Sequence, residues 1–330
     1  MKLAVDAMGG DHAPGAPISA CVEFARANPD VEIYMIGQES VLEAVWPTSA
    51  PGNISIVDAP TVITGEDEPV RAVKRKKDSS LVTAAQMVRD GQADAMLSAG
   101  NTGALVAAGL FVIGRIPGIN RPALAPVLPT FRGRGVLLLD AGAYPDADVE
   151  NMVQFARMGS VYSRGVLGVD NPRVGLVNIG TEPGKGNALT KETFIQLEKS
   201  GLNFVGNVEA RDILDGTCDV VVTDGFVGNV VLKTIEGLGL GLFSELKRAF
   251  MSGWQSKLAG AMARPSLAGL RRKFDYAEYG GAPFLGVAGG CLKAHGSSKE
   301  RAWYTALEQA KRFVKGQLLA TLTEQMTREE

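Results

Sequence analysis

RVGLVNIGTEPGKGNALTKETFIQLEKS, residues 173–200, sets out in one run a pattern that the chain repeats. Residues 173–180 are almost wholly apolar, as in a strand covered on both faces, and the chain then turns through glycines 180, 184 and 186 into a helical pattern over 187–200. The same order occurs elsewhere. Strands are read at 2–7, 31–37, 54–59, 94–99, 135–142, 173–180, 203–209 and 219–225. Helices are read at 16–27, 79–90, 102–114, 147–163, 187–200 and 226–250. Such alternation predicts an α/β fold, a doubly wound and mainly parallel sheet with helices on both faces, built as a single large unit over 1–330. A last helix over 298–322, capped at Ser297–Ser298, puts Trp303, Leu307, Ala310, Phe313, Val314 and Leu318 on one stripe, which closes either the core or a dimer seam.

Composition narrows the function classes. Lys and Arg total 34 and Asp and Glu 36, a formal charge of −2, so there is no overall field for nucleic acid and electrostatic recognition must be local. Forty glycines in 330 residues, about 12% against a usual 7% or so, call for many tight turns or close backbone approaches. Cys21, Cys218 and Cys291 lie far apart with no C-x-x-C, which suggests neither zinc nor a disulfide framework and suits a reducing cytosol. The N-terminus reaches Asp6 before any apolar run long enough for a signal peptide, and reads as a first strand. The uncharged run 95–114 is interrupted by Ser98, Asn101, Thr102 and glycines, so strand, loop and helix explain it better than a membrane span.

One segment departs from the pattern. Residues 246–274 carry seven Lys or Arg and no acid, interleaved with Phe250, Trp254, Leu258, Met262, Leu267, Leu270 and Phe274 and broken at Pro265. This basic amphipathic composition suits an anionic membrane surface or an acidic protein; a solvated helical hairpin packed on its own domain is the alternative.

Four Gly-rich turns end apolar strands and precede helices: DAMGGDHAP (6–14), SAGNTG (98–103), NIGTEPGKGN (178–187) and TDGFVGN (223–229). Glycine lets backbone N–H groups approach an anion, while Thr102, Asn187 and Asn229 cap a helix or bind a ligand oxygen. Four in one sheet point to a ligand bearing phosphate or carboxylate, though turn and cap suffices for any one alone. Neither G-x-x-x-x-G-K-[ST] nor G-x-G-x-x-G occurs, which weakens kinase and NAD dehydrogenase readings. Lys185 is left as a point charge beside Asn187, or as a plain exposed lysine. His12, in the first turn, could protonate a leaving group or play a structural role, and no G-x-S-x-G is present to mark a covalent hydrolase. Asp6, Asp140 and Asp224 all end strands, and turn capping is preferred for Asp140. Arg71, Lys74, Arg75, Lys76 and Lys77 form a basic run after the acidic GEDEP (65–69), either solvated or a dock for an acidic protein.

In order along the chain, VDAMGGDHAP, VRAVKRKKDSS, SAGNTGAL, LVNIGTEPGKGN, NVEARD, DVVVTDGFVGNVVLK, YGGAPFLGVAGG and AHGSS resemble the bacterial phosphate acyltransferases of the PlsX family, from residue 5 to residue 298. The resemblance implies conversion of acyl-acyl carrier protein and inorganic phosphate to acyl phosphate and free carrier protein, for phospholipid synthesis. It implies a fold similar to phosphotransacetylases and isocitrate dehydrogenase-like proteins, a homodimer and peripheral membrane contact; no cofactor is expected and no metal ligand is assigned. One position departs: Tyr144 stands in DAGAY where the family pattern has Asn.

Together these readings place Lys185, His12, Asn187 and Asp6 as catalytic candidates. Phosphate or substrate contact falls to Gly9, Gly10, Ser98, Gly100, Asn101, Thr102, Gly103, Gly186, Asp224, Gly225 and Asn229. The 71–77 run would dock carrier protein, and Trp254, Leu258, Met262, Leu267, Arg271, Arg272 and Lys273 would touch an anionic bilayer, with a protruding basic amphipathic segment over 246–274. Phosphate is already an oxyanion, so positioning matters more than activation and no acyl-enzyme is needed. A phosphotransacetylase-like enzyme using acyl-CoA and a non-catalytic membrane-surface scaffold are the other readings.

Overall fold

A computed structural model describes residues 1–133, 135–274 and 280–327, without the side chains of 271–274 and 327. The chain opens as β1 (Lys2–Asp6), α1 (Gly15–Ala27), β2 (Glu32–Gly37), α2 (Glu39–Glu43), β3 (Ile54–Asp58), α3 (Pro69–Arg75), α4 (Ser80–Arg89) and β4 (Ala95–Ser98). Next come α5 (Thr102–Ala108), a π-turn over Gly109–Ile113, β5 (Ala123–Leu124), β6 (Val127–Leu128), β7 (Val136–Leu139), α6 (Val149–Gly165), β8 (Val174–Asn178) and α7 (Ala188–Lys199). The remainder is β9 (Phe204–Glu209), a 3-10 turn over Ala210–Asp215, β10 (Val220–Val222), α8 (Gly225–Met251), α9 (Trp254–Phe274), β11 (Ala282–Leu285), β12 (Gly290–Lys293), α10 (Glu300–Lys315) and α11 (Leu318–Thr327).

The strands divide between two sheets. One has the order β3-β2-β1-β4-β12-β11-β5 and the other β6-β7-β10-β8-β9. Pairing is parallel from β3 to β12 and from β7 to β9, with antiparallel pairs at β12/β11, β11/β5 and β6/β7. Residues 123–128 cross from one sheet to the other: the Ala125 amide donates to the Pro283 carbonyl, and the Leu138 amide donates to the Pro126 carbonyl. Alternation along the strands sorts the core onto both faces of each sheet. Leu3 and Val5 of β1 pack with Phe24 of α1 and Trp303 of α10, while Ala4 packs with α4 and α5 on the opposite face. Leu137 and Leu139 of β7 face α6, whereas Val136 and Leu138 pack with Val231 of α8.

The stripe on α10 closes the core, joining Trp303 to the first sheet's cluster and Phe313 to the second's. Three other expectations change. The final helix does not run unbroken over 298–322, because Gln317 adopts φ 48°, and its first residue is Glu300, with no side-chain cap from Ser297 or Ser298. Helix α9 continues through Pro265. The hairpin β11–β12 was not anticipated, since four-residue strands with Pro283 and a glycine-rich turn carry too short a period and too many breakers.

Close backbone contact fixes where α8 starts. A Cβ on Gly228 would lie 1.9 Å from the Asp140 carbonyl oxygen. Gly228→Ala is therefore expected to lower unfolding free energy by about 1–3 kcal/mol through overpacking. Chemical denaturation would measure this; an unchanged midpoint would mean that the β7 loop moves freely.

Candidate active site

The carboxyl ends of the two parallel sheets face a cleft of about 360 Å3. One wall is Thr102 and Gly103 at the start of α5, together with Lys293 and His295 at and beyond the end of β12. The opposite wall is Ala141 and Gly142 after β7 and Asn229, Leu232, Lys233 and Glu236 of α8. Leu124, Pro126, Val127 and Leu128 of the crossing segment make one side apolar. A larger cavity of about 610 Å3, around 115–120 and α6, contains none of the candidate residues, so its size does not make it the site.

Register builds the polar end. Asp6 pairs with Ser98, and Ser98 with Lys293, so three neighbouring parallel strands end side by side in a carboxylate, a hydroxyl and an ammonium. Ser98 Oγ donates to Asp6 Oδ2 at 2.6 Å and the Met8 amide donates to Asp6 Oδ1 at 3.2 Å. Burial pushes the Asp6 carboxyl up, against hydrogen bonds from Ser80, Ser98 and Met8 that favour its charged form. A Cβ on Gly9 would lie 2.6 Å from the Gly100 amide nitrogen, so the turns after β1 and β4 touch. Gly10, at φ 98°, lies against Ala99 and the Gly296 carbonyl, adding the turn after β12 to the same cluster.

The sequence candidates fall into three groups. Asp6, Gly9, Gly10, Ser98 and Gly100 form the cluster just described, and Thr102, Gly103 and Asn229 line the cleft. His12 is exposed on the same first turn and is not part of the lining. Asn101 serves the scaffold: its Oδ1 accepts from the Ala104 amide, and its Nδ2 donates to the carbonyls of Thr64 and Asp67. Asp224 caps α8 by accepting from the Val227 amide, and Gly225 packs against the Tyr144 carbonyl. Lys185, Gly186 and Asn187 lie on the turn after β8 and do not line the cleft. There Lys185 is exposed at 3.9 Å from Glu182, and Asn187 accepts from the Thr190 amide to cap α7. Asp140 acts as a turn anchor, accepting from the amides of Leu124, Gly142, Ala143 and Tyr144.

Lys293 escaped the sequence reading. It is 8% exposed, and among the described residues its ammonium hydrogen-bonds only to the Ala294 carbonyl. Burial lowers its pKa to about 8; Asp6 and Asp11 oppose the change and Lys233 adds to it. His295, also lowered chiefly by burial, pairs through Nδ1 with Ser297 Oγ at 2.9 Å. The signal available in the sequence was a lysine closing the apolar pair Cys291–Leu292 just ahead of AHGSS.

Arg71, Lys74 and Arg75 of the basic run fall on α3, capped by Glu68 and seated against α5 with Pro69 beside Gly103 at the cleft, and Lys76 and Lys77 follow its end. Lys76 is tied to the scaffold, donating to Asp67 Oδ2 at 2.7 Å and to the Val62 carbonyl. Arg71, Lys74, Arg75 and Lys77 are exposed, and Lys74 stands 5.4 Å over the Phe111 ring. Helix α8 leaves the cleft wall with only Gly225, Gly228 and Val231 buried. Its 27 residues include an 18-residue stretch of mean hydropathy 1.4, long and apolar enough by composition to cross a membrane, but its first turns are packed in the α/β fold. Beyond them Leu238, Leu240, Trp254, Leu258 and Met262 are exposed and Leu267 is half-buried; the side chains of Arg271, Arg272 and Lys273 lie outside the described residues.

Comparison with known proteins defines the class first. The fold is that of a crystal structure of a phosphotransacetylase from Streptococcus pyogenes, with a TM-score of 0.64 at 14% identity over 96% of this chain and 94% of that one. Residues 1–321 match the family model described as "Fatty acid synthesis protein". A "Phosphate acyltransferase" of Bacillus pumilus (strain SAFR-032) is 53% identical over 329 residues, covering 100% of this chain and 98% of that protein. Another with the same name, from Oceanobacillus iheyensis, is 54% identical over 323 residues, 98% of this chain and 96% of that one. The chain belongs to the phosphate acyltransferase (PlsX) family and is an acyltransferase with phosphate as acceptor.

The buried ammonium has a stability signature. Its folded pKa of about 8 lies below the ordinary 10.5, so the unfolded chain binds more protons between those values and stability rises with pH through that window. Lys293→Met is expected to remove up to about 3 kcal/mol of that rise. Denaturation midpoints between pH 7.5 and 10.5 would test it, and an unchanged slope would place the ammonium in water.

Proposed function

We propose that the chain takes its acyl group from acyl-acyl carrier protein, giving acyl phosphate and free carrier protein for phospholipid synthesis. The observation that carries this reading is one cleft with a cationic end and an apolar wall, beside which α3, the helix bearing the exposed basic run, starts with Pro69 against Gly103 of the lining. Carrier protein is acidic, and a row of exposed cations steers and orients such a partner. The acyl chain would lie along Leu124, Val127 and Leu128, and phosphate at Thr102, Asn229 and Lys233. Bound phosphate would then attack the thioester carbonyl directly, its reach set by positioning. Lys185 and Asn187, on an exposed turn outside the cleft, would act as an outer station that attracts phosphate. Asp6, Ser98 and the glycines at 9, 10 and 100 would hold the polar end in shape, with His12 at its outer turn.

The outer part of α8 and α9 would supply a homodimer seam and a peripheral contact with anionic membrane, leaving the enzyme otherwise in the cytoplasm. An acyl phosphate is amphiphilic, so release beside a bilayer shortens its path to the next enzyme. A phosphotransacetylase-like use of acyl-CoA is the second reading, favoured by the fold shared with the Streptococcus pyogenes protein.

The test is phosphate-dependent thiol release from purified long-chain acyl-carrier protein, with acyl phosphate trapped by hydroxylamine. Thiol without acyl phosphate would mean a thioesterase, and equal efficiency with acyl-CoA would favour the second reading. Charge reversal of Arg71, Lys74, Arg75 and Lys77 to Glu is expected to raise KM for the carrier-bound donor by about tenfold or more, and KM for acyl-CoA far less. Trp254→Glu with Leu258→Glu and Met262→Glu should abolish flotation with anionic vesicles; undiminished flotation would take the membrane contact elsewhere.

A further inference from the structure

We propose that Lys293 is the general acid of the reaction, delivering its ammonium proton to the sulfur that departs from the thioester. The inference rests on the acyl-transfer reading above and adds the destination of the electron pair and the origin of the proton. A phosphate oxygen bonds to the carbonyl carbon, the carbon–sulfur bond breaks, and its electron pair leaves on sulfur. The proton from Lys293 Nζ makes the thiol, and the neutral amine regains a proton from water at the cleft mouth.

Three observations lead to this side chain. The Lys293 ammonium is held at the cleft wall by one backbone carbonyl, Ala294, which leaves further N–H groups to donate. Its strand neighbours Ser98 and Asp6 are hydrogen-bonded to each other, which fixes the strand end from which it projects. The apolar wall of Leu124, Val127 and Leu128 and the polar end of the cleft are parts of one cavity, so an acyl chain lying on that wall directs its thioester toward the polar end.

The charges around Lys293 are suited to a transient donor. Asp6 and Asp11 face it from the end of β1 and the turn that follows, and Lys233 from α8; Glu236 of α8 acts on His295, two residues further along the chain. The carboxylates favour the ammonium, whereas burial and Lys233 disfavour it more, leaving a value of about 8. A cysteine thiol has a pKa of about 8.5 and an unactivated alkyl thiol lies above it, so transfer of the proton to the leaving sulfur runs downhill, from a donor whose pKa is near the operating pH, where general acid catalysis is effective. Lys185, exposed beside Glu182, lies outside the cleft lining.

The experiment compares two donors with the same acyl group, the carrier protein thioester and an aryl thioester whose thiol is far more acidic and leaves without a proton. Wild type, Lys293→Met and Lys293→Arg are assayed as full-length protein, with thermal melts confirming that each variant folds. Lys293→Met is expected to lower kcat on the carrier donor by about 10²–10³-fold and on the aryl donor by less than about tenfold, with KM for phosphate little changed. Lys293→Arg keeps the charge but does not release its proton, and is expected to retain phosphate KM and lose kcat on the carrier donor. Wild-type kcat should fall as pH rises past about 8, and this limb should be missing in Lys293→Met. Equal losses on both donors, a persisting limb, or a raised phosphate KM with kcat retained would overturn the assignment, the last making Lys293 a phosphate anchor. Wild-type enzyme that forms no acyl phosphate would refute the acyl-transfer reading instead.

Discussion

The 2.6 Å bond from Ser98 to the Asp6 carboxylate is the contact on which the polar end of the cleft depends. Both residues are at most 2% exposed, so the carboxylate needs its donors: an unpaired buried charge costs several kcal/mol. That requirement locks β1 to β4 in a register that cannot slip by one residue without putting the two side chains on opposite faces of the sheet. The turn after β1 then meets the turn after β4 at Gly9 and Gly100, and β12 sets Lys293 beside Ser98. Strand register thus becomes the geometry of the cleft.

How much was legible depended on how local the cause was. Eight apolar runs and the turns that follow them announced an α/β fold, because burial on both faces leaves a compositional mark in each strand. The division into two sheets left no such mark. It is made by β5, β6, β11 and β12, each two to four residues long, and it depends on β5 pairing with β11 and β12 with β4, strands distant in sequence. Thr102 was read as a cap or ligand contact, but Asn101 caps α5, and nothing in SAGNTG tells that its amide nitrogen is spent on the 64–67 loop. Lys293 was hidden for the same reason: a lysine at a strand end is ordinary until its neighbour in the sheet is known.

The same distinction separates Lys185 from Lys293. Lys185 stands in a Gly-rich turn of the kind that binds anions, and its signal is wholly local, but the turn is exposed and lies outside the cleft lining. Lys293 has no motif around it and a buried environment made by three strands and α8. An exposed cation attracts ligands over distance, while a desolvated one is ready to exchange its proton.

Helix α8 is a single rod. It carries Asn229, Leu232, Lys233 and Glu236 on the cleft wall and runs without a break to Met251, where its side chains meet solvent. At 1.5 Å per residue its 27 residues span about 40 Å. Anchored at one end by the close seat of Gly228 on Asp140, it is a lever whose fulcrum is the site itself. A contact made at the far end would restrain the tilt of the cleft wall and with it the width of the cleft.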